Sequence, residues 1–351
     1  MKTKARYIHT TLKKRPELRD ETIELIEECF GYQQPYSYEV DFLHLMNKKN
    51  MNQCFIVYDS KEQKVVSHAG VNLRLIGNSD FQIQSALMGG MATHPDYQGQ
   101  GHFKSLFENV LHHYENKVSL FILWSNLDKL YAKFGFHEAG GQLETGKLPF
   151  NESQLNINFK KTKFSKLDYK NFKLIRDIYE LDTSREYTTI MRSNIDWENI
   201  KNINSTDLYL CYNKNGNFDG YFCVGKGFDL QGIIHETGFY PEVRNQYFEK
   251  LAKYKMWLPQ KNTWKPDNGY LLYLALFRPG NTSLFKNMVA AWSKNDILIN
   301  KYDGNIVSYN HLGEPLIDTM EEFLKKLFGP EPFFEGFNYG PPLFFSGLDS
   351  V

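Results

Sequence analysis

Gly99 and Gly101 lie in the segment 91–104, which reads MATHPDYQGQGHFK. An apolar strand is predicted to end at Pro95, and the 3.6-residue period of the apolar side chains predicts a helix that opens at Gly101. The first amides of a helix have no intrahelical acceptor, the helix dipole is positive there, and glycine lets an anion approach the backbone. This spacing therefore predicts a site for a phosphate-bearing cofactor.

Two other phosphate-binding loops are excluded by the same residues. No Gly-Lys-Ser/Thr triplet is present, so the lysine and the magnesium-holding hydroxyl of a P-loop nucleotide site are missing. Lys104 occupies the position of the third glycine in a dinucleotide fingerprint, so that motif fails as well. A Gly-x-Gly turn on its own is also compatible with a purely structural strand-to-helix connection, and a second motif is needed to decide.

That second motif lies downstream. The apolar run Val118–Trp124 predicts a buried strand, and the sequence SNLDKLYAKFGF follows it at 125–136. The loop Gln98–Gly101 resembles the pyrophosphate loop of the GCN5-related N-acetyltransferases (GNAT), and LYAKFGF resembles that family's tyrosine-bearing helix and the strand beyond it. The order and separation of the two motifs also match. The bulky Phe103 and the short spacing before Tyr131 resemble the enhanced-intracellular-survival branch.

The resemblance implies acetyl transfer from acetyl-CoA, a co-substrate, to a primary amine on a small molecule or peptide. Gly89 and Gly90 support a strand that a ligand approaches closely, because glycine inside a strand often marks a bulge. The alternative is a plain core strand. The implied cofactor contacts are the backbone groups of Met91, Ala92 and Thr93 for the pantetheine arm, then Gln98, Gly99, Gln100, Gly101, His102, Phe103 and Lys104 for the pyrophosphate, and Asn126.

Two catalytic residues are implied by the same resemblance. Tyr131 is the expected acid, because a phenol with an ordinary pKa of about 10 keeps its proton at neutral pH and can give it to a departing thiolate. The alternative for Tyr131 is a purely packing role. In the branch that this chain resembles, a terminal carboxylate reaches the active site, so we expect Val351 or Asp349 on the acceptor side of Tyr131. The alternative is a terminus that is merely packed.

The general base is left open by the sequence. Histidine titrates in the right range, and glutamate is also suited to the task. Glu236 stands in an otherwise apolar strand, where a buried carboxylate demands a partner, either the acceptor ammonium or an arginine of the protein. The candidates by residue type are His68, His94, His137, Glu138 and Glu236.

Composition excludes several classes of partner. The 351 residues contain 41 Lys plus Arg and 41 Asp plus Glu, so no net basic charge is available for nucleic acid or an anionic membrane. No apolar run forms a secretory signal or approaches a membrane span. Four widely spaced cysteines without a Cys-x-x-Cys pair predict reduced thiols of a cytoplasmic protein, with neither disulfides nor a metal site. The oligomeric state is not determined by these features.

The chain is predicted to be α/β (α+β), with two tandem mixed-sheet domains of the GNAT type at 1–150 and 151–310. Strand and helix patterns recur in the same order in both parts, and a helix is predicted at 242–257. Measured from the proline after each cofactor-type strand, the loop Gln98–Gly101 corresponds to Arg244–Tyr247, where tyrosine replaces glycine. The second domain is therefore expected to lack a cofactor site. Residues 311–351, rich in Pro, Gly and aromatic residues, are predicted to form an ordered strap.

These features together predict an acetyl-CoA-dependent N-acetyltransferase. One alternative is another tandem acyl or aminoacyl transferase of the same fold, which would use a long-chain acyl donor or charged tRNA. Zero net charge argues against tRNA. A second alternative is a non-catalytic acyl-CoA-binding protein, and Tyr131 is the residue that separates this alternative from an enzyme.

Overall fold

One mixed β-sheet runs through both halves of the chain. The computed structural model describes residues 6–185, 188–260, 269–330 and 342–351. Within these ranges the strands are β1 (Tyr7–Thr11), β2 (Cys54–Asp59), β3 (Lys64–Gly77), β4 (Gln82–Thr93), β5 (Leu120–Leu123), β6 (His137–Thr145), β7 (Phe159–Thr162), β8 (Thr189–Ile190), β9 (Asp207–Tyr212), β10 (Phe218–Val224), β11 (Ile234–Phe239), β12 (Met256–Pro259), β13 (Tyr270–Pro279), β14 (Ile297–Tyr302), β15 (Ile306–His311) and β16 (Glu314–Thr319).

Helices alternate with these strands along the chain. None of the helices in the described ranges has both the length and the apolar character needed to cross a membrane. The helices are α1 (Arg19–Phe30), α2 (Tyr38–Asp41), α3 (Leu43–Met46), α4 (His102–Tyr114), α5 (Asp128–Ala132), α6 (Tyr169–Arg185), α7 (Asn194–Asn202), α8 (Pro241–Leu251), α9 (Thr282–Trp292) and α10 (Met320–Phe328).

In the sheet, strands from the two halves of the chain are interleaved. Among the described residues the sheet runs β1-β2-β3-β4-β5-β13-β6-β12-β11-β10-β9-β7, and β8 pairs with the end of β3. Strand β13 from the second half lies between β5 and β6, and β6 from the first half pairs with β12. The β4–β5 and β11–β12 pairs are parallel, and the other pairs in this sheet are antiparallel. The predicted α/β class with a large mixed sheet is confirmed.

The same unit occurs twice in this sheet. Strands β2, β3, β4 and β5 pair antiparallel, antiparallel and parallel, and strands β9, β10, β11 and β12 repeat that pattern. Helix α4 follows β4, and helix α8 follows β11. The pairing pattern thus recurs in the sheet, while the tandem repeat and its division at 150 and 310 stay predictions.

Two elements differ from the sequence prediction. The helix predicted at 242–257 ends at Leu251, and Met256–Pro259 forms β12 between β6 and β11. Pairing with two neighbouring strands outweighs the local helical pattern there, because it satisfies backbone groups on both edges. The predicted strap starts later than residue 311: Glu314–Thr319 pairs with β15, and Met320–Phe328 is a helix with a Thr319 capping box. Residues 331–341 of the strap lie outside the described residues.

Alternation along the central strands separates two apolar layers. Cys54, Ile56 and Tyr58 of β2 pack with α1, whereas the intervening Val57 packs with α4. A strand presents successive side chains to opposite faces, so α1 and α4 cover opposite faces of β2, β3 and β4. This arrangement fixes the carboxyl end of β4, where the site is built.

Candidate active site

Strands β4 and β5 separate at their carboxyl ends. They pair from Ser85 opposite Leu120 to Met88 opposite Leu123, where β5 ends, while β4 continues to Thr93. The backbone edge of 89–93 therefore faces a gap on the β5 side. An extended ligand with amide groups can pair with such an edge as an additional strand does.

Gly90 produces a bulge at the start of this free edge. Its φ is +63°, and the register between β3 and β4 shifts beside it. The Nδ1–H of buried His68 donates to the Gly90 carbonyl at 2.6 Å, which holds the bulge from the β3 side. Burial lowers the pKa of His68 to about 4, so the ring is neutral at physiological pH. His68 thus shapes the strand; so low a pKa makes its ring a weak base, and His68 is not among the described residues that line the cavity.

The glycine loop lies at the end of the same strand. Gly99 and Gly101 have φ values of +73° and +83°, and a Cβ at either position would meet nothing within 4 Å. Both positions are therefore left-handed and open. The side-chain amide of Gln98 donates to the Thr93 carbonyl at 3.2 Å, which ties the loop to β4, and the side-chain amide of Gln100 donates to the Asp96 carbonyl at 2.9 Å.

Helix α4 begins directly after Gly101, which offers no side chain to cap it. The helix N-terminus therefore presents amides and a positive dipole end at an open surface beside the gap. This is the geometry that a pyrophosphate requires, and it arises because glycine occupies the capping position.

The three residues that open α4 are turned in different directions. The His102 ring packs on Tyr7 with centroids 4.3 Å apart, and burial lowers the pKa of His102. The Phe103 ring packs against Phe107 and Tyr131, which accounts for a bulky residue at a position that is small in the loop pattern. The Lys104 side chain is exposed, and its ammonium group lies in solvent beside the helix N-terminus.

A cavity of about 940 Å³ opens between the separated strands and extends under the second half of the sheet. It brings together seven of the residues expected from the sequence: Met91, Ala92, Thr93, Gln98, Asn126, Tyr131 and Val351. The other predicted contacts, Gly99, Gln100, Gly101, His102, Phe103 and Lys104, continue from Gln98 along the loop and into α4.

Tyr131 lies on α5 with 5% of its surface exposed, and its ring contacts Phe107 and Phe136. Burial raises the pKa of Tyr131 to about 12, so the phenol stays protonated at neutral pH. Tyr131, with its phenol protonated, thus lines the same cavity as the free edge of β4.

Val351 lies opposite Gly89 in the same cavity. A Cβ at Gly89 would collide with the main-chain carboxyl carbon and oxygen of Val351, so glycine is what permits this approach. Val351 is 8% exposed. Asp349, the other carboxylate expected there, is fully buried between Arg74 at 3.1 Å and Arg192 at 2.8 Å. Burial raises the pKa of Asp349, but the two arginines outweigh it and the net pKa lies below the ordinary value.

Lys226 holds the C-terminal segment, defined here as Ser346–Val351. Its Nζ donates to the carbonyls of Gly347 and Ser350 at 2.9 and 3.0 Å, and to the Ser350 hydroxyl at 2.8 Å. All three protons of the ammonium are therefore used. Burial lowers the pKa of Lys226 from 10.5 to about 7, and nearby carboxylates oppose that shift. Sequence reasoning missed this residue, although a lysine between glycines directly after an apolar strand was the available signal.

Glu236 is satisfied by the protein itself. It accepts hydrogen bonds from Arg192, from Tyr221 at 2.8 Å and from Ser346. The arginine alternative for Glu236 is confirmed, and Arg192 is a second residue that the sequence reasoning missed. The carboxylate joins Arg192 and the C-terminal segment into one buried network.

The remaining base candidates also lie away from the cavity lining. His94 accepts from the Asp96 amide at 3.2 Å as a turn cap, and His137 lies 4.0 Å from Glu321. Neither these two residues nor His68, Glu138 and Glu236 are among the described residues that line the cavity.

Part of the chain matches a known protein family. Residues 13–139 match the family model described as an acetyltransferase (GNAT) domain, which defines a domain of the acyl-transferring class. The GNAT resemblance predicted from the loop and the tyrosine motif is confirmed. The match includes the whole loop and Tyr131. No curated protein sequence matches the chain.

Solved structures extend the likeness of fold over nearly the whole chain. A probable N-acyltransferase of unknown function from Enterococcus faecalis is 14% identical, with a TM-score of 0.58 over 92% of this chain and 90% of its own. Eis1 from Mycobacterium abscessus is 10% identical, with a TM-score of 0.56 over 92% and 90%. N-myristoyltransferase from Saccharomyces cerevisiae, solved with bound myristoyl-CoA, is 11% identical, with a TM-score of 0.50 over 80% and 85%. At these identities the likeness is one of fold.

Proposed function

We propose that this protein is an N-acetyltransferase that moves the acetyl group of acetyl-CoA to a primary amine. The observation that carries the proposal is one cavity whose lining includes the free edge of β4, Tyr131 and Val351, with the open N-terminus of α4 beside it. Four cysteines outside disulfides support the expected cytoplasmic setting.

The donor is assigned to the first half of the sheet. Backbone groups of Met91, Ala92 and Thr93 would pair with the pantetheine amides, and Gln98–Lys104 with Asn126 would surround the rest of the cofactor. The length of free β4 edge, the open left-handed glycines and the positive end of the α4 dipole support this placement.

Two groups of the cavity lining then share the chemistry, Tyr131 as the acid and the main-chain carboxyl of Val351 as the base. The amine nitrogen forms a bond to the thioester carbonyl carbon, and the carbon–sulfur bond breaks with its electron pair leaving on sulfur. Tyr131 gives its proton to that thiolate. The main-chain carboxyl of Val351 takes the proton that the nitrogen loses, because no other base candidate weighed from the sequence lines the cavity.

The test uses the whole protein and two readouts. Calorimetric titration with acetyl-CoA should give a stoichiometry near one per chain, and a thiol assay with a panel of amines should show amine-dependent release of CoA. Binding without any amine-dependent thiol would favour the non-catalytic acyl-CoA-binding alternative. Faster release from longer acyl-CoAs would favour the alternative acyl transferase.

A further inference from the structure

Aromatic side chains form much of the cavity wall away from β4. They come from the end of α1, from α2 and the residue after it, from the residue after β5, from the two second-half strands β12 and β13, and from the stretch just before the C-terminal segment. Large flat apolar walls favour ligands that bury apolar area. The aromatic residues are Phe30, Tyr38, Phe42, Trp124, Trp257, Tyr273 and Phe345.

Apolar side chains also remain exposed where the cavity opens. Phe30 is 40% exposed, Leu272 is 37% exposed and Tyr273 is 41% exposed, and all three line the cavity. Exposed apolar side chains that cluster at a concave site mark a surface kept for an apolar ligand.

Charge is scarce in this lining. Among the described lining residues, Lys226 is the only basic side chain and Asp229 the only acidic one, to which the main-chain carboxyl of Val351 adds one further negative group. A substrate with several ammonium groups would need several carboxylates to replace the water it loses. The lining offers two negative groups, and the proposed function uses one of them as the base.

Lys226 is not available to a substrate. All three of its protons are donated to Gly347 and Ser350, so it cannot pair with a carboxylate without releasing the C-terminal segment. A substrate carboxylate would therefore enter this part of the cavity without a cationic side chain to receive it, and an unpaired buried anion is strongly disfavoured.

We propose that the acceptor is a monoamine with an aromatic or bulky apolar body and no free carboxylate. The described lining residues include too few negative groups for a polyamine and no free cationic side chain for the carboxylate of a free amino acid. The inference rests on the proposed function and names the acceptor class for that site.

A matched series of amines tests the charge argument. 2-Phenylethylamine and L-phenylalaninamide should be acetylated, whereas L-phenylalanine, which differs from its amide by one carboxylate, should have a kcat/KM lower by about 10²–10³-fold, the effect of one uncompensated buried charge. Spermidine should also be poorer than 2-phenylethylamine. A kcat/KM for L-phenylalanine or spermidine equal to or above that of 2-phenylethylamine overturns the proposal.

A variant pair tests the aromatic wall. Tyr273→Ala should raise KM for 2-phenylethylamine more than for methylamine, which is too small to contact that ring. Tyr169→Ala is the control, because Tyr169 is 82% exposed and lies outside the cavity lining. Equal effects of Tyr273→Ala on both amines would contradict the assignment of this wall.

Calorimetry separates this inference from the proposed function. Titration of each amine into the CoA-loaded protein ranks the amines without any turnover. If acetyl-CoA binds but no amine releases thiol, the proposed function fails, while the binding order still decides the acceptor class. If 2-phenylethylamine shows no binding where L-phenylalanine or spermidine binds, or if none of them binds, the acceptor class is wrong.

Discussion

The two halves of the sheet make the same strand-to-helix junction in different ways. After β4 the chain passes through a short turn and two left-handed glycines before α4 begins at His102. After β11 the helix α8 begins at once, at Pro241. The positions that correspond to the glycine loop, Arg244–Tyr247, are therefore a turn of helix in the second half.

The side chains in that turn of helix also differ from those of the glycine loop. Tyr247, which stands where Gly101 stands in the first half, is 5% exposed and stacks on Phe239 with centroids 4.5 Å apart. Its hydroxyl donates to Asp219 at 2.9 Å. Both junctions have a proline after the strand, but only in the second half does that proline lead directly into a long helix, and Tyr247 of that helix packs into the core. The comparison teaches that the same order of strand and helix leaves an open glycine turn in one half and a packed helix in the other.

The largest effect, a loss of acetyl-CoA binding, is expected when the first junction is made to resemble the second. Gly101→Tyr adds a side chain at φ +83°, where L residues are strained, and fills the approach to the α4 amides. We expect calorimetry to show no acetyl-CoA binding. Gly216→Tyr is a matched control, because Gly216 has φ +78° and open space around it but lies in the β9–β10 turn. Full binding by Gly101→Tyr would show that the loop is not the phosphate site.

Tyr131→Phe should give the next largest effect. It removes one hydroxyl in the first half and keeps the ring contacts, so acetyl-CoA affinity should persist while kcat falls by about 10²–10⁴-fold, as for a lost general acid. Tyr114→Phe is the control, because Tyr114 is also buried and burial also raises its pKa to about 12, but it does not line the cavity. Equal kcat values for the two variants would make Tyr131 a packing residue.

Lys226 should make the stability of the protein depend on pH. Its pKa is about 7 in the folded protein against an ordinary value of 10.5, so between these pH values the unfolded chain binds more protons. The Lys226 contribution to stability therefore rises with pH over that window. Tm should rise from pH 7 to pH 9.5 more in the native protein than in Lys226→Met. Parallel Tm curves for the two proteins would mean that Lys226 keeps its proton throughout this pH range and would contradict the prediction.

The sequence predicted the junction between β4 and α4 better than it predicted the residues around the cavity. The glycine loop, the tyrosine helix and the repeat could be predicted because turn chemistry and periodicity are local. The exchange of β13 and β6 could not, since pairing between distant strands leaves no local pattern. The same limit hid Arg192 and Lys226, whose partners Asp349 and Gly347 lie more than a hundred residues away in sequence. Glu236 could be singled out by its apolar strand, but its arginine partner could not be identified.

The smallest effect is expected in the second half. Tyr247→Phe removes one hydrogen bond to buried Asp219, which keeps a bond from Asn213 at 3.2 Å. Denaturant unfolding should show a loss of about 1.5–3 kcal/mol in the free energy of unfolding, the usual contribution of a hydrogen bond to a charged acceptor. Acetyl-CoA affinity should stay unchanged, because on this comparison the second junction belongs to the core. Tyr169→Phe, at an exposed position, should leave both quantities unchanged. A fall in acetyl-CoA affinity for Tyr247→Phe comparable to that for Gly101→Tyr would mean that the second half binds the donor as well.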